Sequence, residues 1–262
     1  MSTKNQNLSD WPQYLGRHVL ESVPSTNEYA AQLSALPAWV LAKCQTSGRG
    51  RRGRDWVSPV GNFYASYIMK PKGPTSEAAL RSFIAALALY DSLVALGVAA
   101  ERLALKWPND VLLDGGKVAG ILLESGSHGA GVGHLIIGFG VNLSTAPSKD
   151  LVEARALPPV SLQEATGIFV NPEVFLNHLA QAFAAWENCF NQGSFEPIRL
   201  AWLARAAHLG QVITARTGHT EMRGIFDTID AGGALLLRQS NRFIAISAAD
   251  VYFDGGDDAA CN

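Results

Sequence analysis

Residues 77–96 are the stretch that most limits what this chain can fold into. Apolar residues recur there at helical period and Gly97 follows, which predicts one long helix ending at that glycine. Asp91 lies near the centre of the apolar run 82–100, so the stretch reads as a core helix rather than a membrane span. Four short runs of strand character come next, at 103–106, 111–113, 118–124 and 134–140, with turns at Gly115-Gly116 and 126–133. A buried helix next to successive short strands places the chain in the α/β (α+β) class.

Ahead of this unit, Ser25-Thr26-Asn27-Glu28 has the spacing of a capping box and predicts a helix to about Leu36. Residues 38–45 and 62–69 read as strands, joined by a polar Gly/Arg-rich loop over 46–57. Behind it, 172–191 and 197–206 read as helices. From Gln211 the pattern changes to short strands at 212–216, 221–229, 234–237 and 243–246. Their spacing suggests a small β-barrel, which divides the chain into domains 1–208 and 209–262. The Gly/Asp-rich tail 254–262 reads as flexible.

Composition excludes several classes. Of 262 residues 48% are hydrophobic, enough for a sizeable core. The net charge of -2 gives no overall basic excess for nucleic acid. The first ten residues are polar and lack the apolar region of a signal peptide. Cys44, Cys189 and Cys261 are scattered and odd in number, which suits neither a metal site nor a disulfide framework and points to a reduced, cytoplasmic setting.

The sharpest motif is 48–54. Gly48, Gly50 and Gly53 satisfy G-x-G-x-x-G, but Trp56-Val57-Ser58-Pro59 and a strand follow rather than a helix, so a dinucleotide fold is excluded. No P-loop is present. Arg49, Arg51, Arg52 and Arg54 make the loop a dense anion-binding element, because guanidinium forks suit phosphate and carboxylate. Ordering such a glycine-rich loop costs roughly 1–2 kcal/mol per residue, so an anionic ligand is the expected means of ordering it. Trp56 is placed to stack on a base. A solvated basic loop and an arginine-rich nucleic-acid patch remain alternatives.

A second constellation is Lys106-Trp107-Pro108-Asn109-Asp110 followed by Gly116 to Glu124. Lys106 and Lys117 suit phosphate or carboxylate oxygens, and Asp110 suits Mg²⁺ or the orientation of a lysine. An ordinary turn with solvated lysines is the alternative. Gly120 reads as a bulge or a packing glycine. In the third, Gly138 to Leu143, the glycines admit a ligand to the backbone and Asn142 could read an adenine edge.

Together these motifs resemble the biotin protein ligase family. The likeness covers Ser25-Thr26-Asn27, Gln45, 48–56, 106–110, 117–124 and 138–142 in order. It implies a mixed sheet backed by helices, followed by a small SH3-like barrel. It implies ATP with Mg²⁺, biotin as substrate, and no tightly bound metal. Biotin would lie against Ser25, Thr26, Asn27 and Gln45, with Arg49, Gly50, Arg51, Lys117 and Gly120 around it. The adenylate would meet Arg49, Arg51, Arg52, Arg54, Trp56, Lys106, Asn109 and Asn142. Arg51, Lys117, Lys106 and Asp110 would serve the chemistry, with Asp110 near any Mg²⁺ carried mainly by ATP phosphates. The acceptor would be a lysine of a biotin carboxyl carrier protein. Only 24 residues precede Ser25, which predicts no DNA-binding winged helix. No membrane partner and at most a weak homodimer are expected. A lipoate or octanoate ligase of the same fold, and a nucleic-acid-binding protein using the arginine loop, are the rival readings.

Overall fold

The computed structural model describes residues 11–253 apart from 13, 129–130, 219 and 241, so the tail 254–262 lies outside the described residues. In chain order the elements are β1 (Gly16–Val23), α1 (Thr26–Ala30), β2 (Ala38–Gln45), β3 (Phe63–Met69), α2 (Thr75–Ala78), α3 (Arg81–Ala95), β4 (Leu103–Lys106), β5 (Asp110–Leu113), β6 (Gly116–His128) and β7 (Gly131–Val141). Then follow α4 (Leu162–Thr166), α5 (Pro172–Gln192), α6 (Glu196–Leu203), β8 (Val212–Thr217), β9 (Thr220–Ile229), β10 (Leu235–Gln239), β11 (Arg242–Ile246) and β12 (Asp250–Phe253).

The first seven strands form one mixed sheet in the order β1-β2-β3-β7-β6-β5-β4, with β1 parallel to β2 and the other pairs antiparallel. Side chains alternate between its faces. One face carries Trp39, Leu41, Phe63, Ala65, Ile137 and Phe139 against α3 and α5. Phe183 of α5 meets Trp39, Tyr67 and Phe139 in edge-on ring contacts. The helical stretch 76–95 is long and apolar enough to cross a membrane, but 67% of its most apolar window is buried inside the fold.

The last five strands form an antiparallel sheet in the order β11-β10-β9-β8-β12. Its core residues Ile213, Phe226, Leu235 and Leu237 belong to the same apolar cluster as the first sheet. The chain also crosses as backbone: Leu105 N donates to Arg205 O and Ala207 N donates to Leu105 O. Trp107 Nε1 donates to Gly233 O at 3.1 Å.

Several elements differ from the sequence expectation. The helix after Ser25 ends at Ala30, not Leu36, and the Ser25 side chain makes no cap bond. The helix expected over 77–96 is divided at Ala79-Leu80 into α2 and α3, and Gly97 follows with φ 98°. β6 and β7 run on through most of the turn expected at 126–133. β1, α4 and β12 carried too little periodicity to be foreseen.

Arg81 is fully buried and pairs with Glu187 at 2.8 Å across α3 and α5, with Phe190 stacked 5.1 Å from its guanidinium. Removing one partner strands the other charge. Glu187→Ala should therefore lower the unfolding free energy in urea by about 3–5 kcal/mol, whereas the apolar pair Arg81→Met with Glu187→Leu should restore most of it. Equal losses in the single and double variants would contradict this.

Candidate functional site

The sheet's second face is only partly covered. Ala30 of α1 packs on Ala38, Val40, Ile68 and Ile136. Beyond α1 the face becomes the floor of a cavity of about 360 Å³. Gly120, Gly138 and Gly140 form that floor, paired across β6 and β7 as Gly120↔Gly140 and Leu122↔Gly138. A Cβ on Gly138 would stand 2.5 Å from Asn27 Oδ1, and one on Gly140 would stand 2.5 Å from the Trp56 ring. Bare backbone lets both side chains lie flat on the sheet.

One end of the cavity is neutral and hydrogen-bonding. Ser25, Thr26 and Asn27 are each 4% exposed. Thr26 N and Oγ1 both donate to Gln45 Oε1, at 2.8 and 3.1 Å. Gln45 Nε2 donates to Ser58 Oγ at 3.1 Å, which fixes the amide's orientation.

The other end is cationic. Lys117 Nζ lies 2.8 Å from Asp110 Oδ1 and Lys106 Nζ lies 3.7 Å from Oδ2. Lys117 reaches this face through a β-bulge. The register is Asp110↔Gly120 and Val111↔Ala119, then Leu112↔Lys117, so Val118 is skipped. In regular alternation Lys117 would face away from Gly120. The skipped residue turns it onto the cavity face. Burial pushes the Asp110 carboxyl up, but Lys117 and Lys106 outweigh it and hold the group below the usual carboxylate range. Burial pulls the Lys106 ammonium down, and Asp110 partly opposes this.

Trp56 lies between the two ends, with Lys117 Nζ 5.3 Å from its ring centre. Its buried Nε1–H has no acceptor among the described residues. An acceptor on a ligand in the cavity would satisfy it.

The arginine loop folds as a small hairpin over the cationic end. Trp56 N donates to Gly48 O and Gly50 N to Arg54 O, around a 3₁₀ turn at Arg51–Gly53 in which Arg52 has φ 58°. Arg51 Nη1 donates to Asn109 Oδ1 at 3.2 Å and to Ala249 O at 3.4 Å. Arg52 and Arg54 converge on Asp250 at 2.5 and 2.9 Å. Arg54 also meets Glu153 at 3.2 Å, and Arg49 stands 3.8 Å from Glu124. Burial pushes the Asp250 carboxyl up, yet Arg54, Arg52 and Arg51 hold it below its usual range. The sequence led us to expect an anionic ligand as what orders this loop. In the structure its own ladder and these carboxylates do so.

Of the residues expected at the site, all but Arg52, which turns to Asp250 instead, line this one cavity. Two of them have structural duties there. Asn109 Nδ2 donates to Ile121 O at 2.7 Å. Asn142, 2% exposed, donates to Val160 O at 3.2 Å and ties the segment before α4 to the sheet. Trp56 sits on the glycine floor beside Lys117, so it covers the centre of the cavity. The sequence reading missed Ser66 and Glu124 behind Asn27, Asp250 behind the arginines, and the wall formed by Leu151, Glu153 and Arg155. Strand alternation already placed Glu124 on the face of Gly120. Nothing local marked Asp250, which is 196 residues from Arg54.

The model of the Biotin/lipoate A/B protein ligase family matches residues 19–142, and that of the Biotin protein ligase C terminal domain matches 208–254. A biotin–[acetyl-CoA-carboxylase] ligase of Paracoccus denitrificans is 54% identical over 241 residues, covering 90% of this chain and 100% of the relative. The chain belongs to the biotin protein ligase family. The bifunctional ligase/repressor BirA of Escherichia coli is 32% identical over 227 residues, which are 84% of this ligase and 68% of that protein. The biotin protein ligase of Aquifex aeolicus, solved with biotin and ATP, shares the fold with TM-score 0.78 at 22% identity, over 90% of this chain and 97% of that one. The Leishmania major enzyme, solved with biotinyl-5-AMP, gives TM-score 0.61 at 25% identity, over 91% and 100%.

Asp110 is the group that opposes the downward pull on Lys106. Asp110→Asn removes it, so the buried ammonium should lose its proton at a lower pH than in the wild type. The alkaline limb of the pH profile of kcat/KM for adenylate formation should move to lower pH. An unchanged limb with normal folding would show that Lys106 does not depend on Asp110.

Proposed function

We propose that this ligase activates biotin with ATP to biotinyl-5′-AMP and transfers biotin to one lysine of a biotin carboxyl carrier protein, a carboxylase subunit or domain. The observation that carries the reading is the cavity's polarity. A neutral hydrogen-bonding end suits a cyclic urea, and a cationic end suits a carboxylate meeting a triphosphate. A biotin carboxylate oxygen attacks the α-phosphorus, the bond to the bridging oxygen breaks and pyrophosphate leaves. The carrier ε-amine then attacks the acyl carbon, AMP leaves, and the amine gives up a proton. Lys117 beside Asp110, with Lys106 and Arg51, offers positive charge where negative charge develops. The arginine hairpin covers the anhydride and keeps water from it.

Ser25, Thr26, Asn27 and Gln45 hold the ring in this reading, with Arg49, Gly50 and Gly120 beside it. Arg52, Arg54, Trp56, Asn109 and Asn142 frame the adenylate. Asp110 is a poor magnesium ligand, because both its oxygens face ammonium groups. We place Mg²⁺ on the ATP phosphates, as part of the nucleotide substrate. Lipoate or octanoate fits less well, since an acyl chain would leave the polar end unsatisfied. The nucleic-acid reading is disfavoured because Arg52 and Arg54 are already paired with Asp250 and Glu153. We assign no DNA or membrane partner and a cytoplasmic setting. A weak homodimer through the open edge of β1 is the association we propose. The division near residue 208 sets a carboxy-terminal sheet that buttresses the site.

The test is to incubate the protein with biotin and MgATP and look for bound biotinyl-AMP by mass, then add an apo carrier domain. Adenylate should form, and the carrier lysine should gain biotin. In Arg51→Gly the intermediate should escape into solution and label bystander amines. Adenylate with octanoate or lipoate and none with biotin would overturn the assignment.

A further inference from the structure

Behind the neutral end lies a chain of hydrogen bonds. Asn27 Nδ2 donates to Glu124 Oε2 at 2.6 Å. Ser66 Oγ, fully buried on β3, donates to Asn27 Oδ1 at 2.5 Å and also lies 2.8 Å from Thr26 Oγ1. A carboxylate only accepts and Ser66 offers one proton, so this arrangement admits one orientation of the Asn27 amide. The second hydrogen on Nδ2 and the second lone pair on Oδ1 are left for a ligand. Glu124 Oε1 also stands 3.8 Å from Arg49 Nη2 of the arginine hairpin. Glu124 reaches Asn27 because Gly120, Leu122 and Glu124 share one face of β6.

We infer that Glu124 and Ser66 are positioning residues that lock the Asn27 carboxamide and so make the cavity prefer a cyclic urea over a plain acyl chain. The inference rests on the biotin-ligase reading and adds to it the groups that set selectivity. The Glu124 side chain is 41% exposed, so replacing it should leave the fold intact.

The experiment measures pyrophosphate release with biotin and with octanoate for the wild type, Glu124→Ala, Glu124→Gln and Ser66→Ala, with melting temperatures alongside. Wild type is run first: no biotin-dependent release there overturns the ligase reading itself. Given wild-type activity, Glu124→Ala should raise the biotin KM by roughly 10- to 100-fold with kcat nearly unchanged, the range expected for losing a charged hydrogen bond. Its octanoate parameters should hardly move, so the preference for biotin should fall by the same factor. Glu124→Gln, whose amide oxygen can still accept from Asn27, should recover most of the KM. Ser66→Ala should give a smaller rise of the same kind. An unchanged biotin KM in Glu124→Ala, a loss in kcat alone, an equal loss with octanoate, or no recovery in Glu124→Gln would each overturn the inference.

Discussion

The cationic end of the site depends on one skipped residue. Because β6 bulges at Val118, Lys117 turns onto the same face as Asp110 and Gly120. Val118 itself joins the core and is fully buried. Asp110 can then hold Lys117 at 2.8 Å and Lys106 at 3.7 Å in one cluster. Two ammonium groups this close would repel strongly without the carboxylate between them. One neighbouring segment pins the bulge through both backbone groups of Lys117, since Lys117 N donates to Pro158 O while Val160 N donates to Lys117 O.

The carboxy-terminal sheet takes part in the same construction. Asp250 opens β12 and draws Arg52, Arg54 and Arg216 toward it. Arg155 links the wall over the cavity to this sheet, against Glu221 and the ring of Tyr252. Phe253 lies between His208, stacked at 3.7 Å, and Lys106 at 5.7 Å. The arginine hairpin is therefore supported by a second sheet. That support lets three arginines gather near one another with limited self-repulsion.

Much of this was legible because each motif carries its own local chemistry. β2 runs over 38–45 as its β-like composition indicated, and α5 runs to Gln192 behind Pro172. Residues 106–110 form a strand end and turn, as the proline implies. What could not be read is what long-range pairing decides. Regular alternation would have pointed Lys117 away from Gly120, and only its pairing with β5 corrects this. Asp250 is an ordinary surface aspartate until the second sheet brings it to Arg54. Ser66 looks like a strand residue until α1 lays Asn27 over Gly138. The short helix after Ser25 lacks the capping-box bond, and Ser25, Thr26 and Asn27 line the cavity.

If the cavity joins a carboxylate to a nucleotide before any carrier arrives, labelled pyrophosphate should exchange into ATP with only the ligase, biotin and MgATP present. The expected exchange requires biotin and proceeds without a carrier. Absence of biotin-dependent exchange, or exchange only once a carrier is supplied, would contradict that order of events.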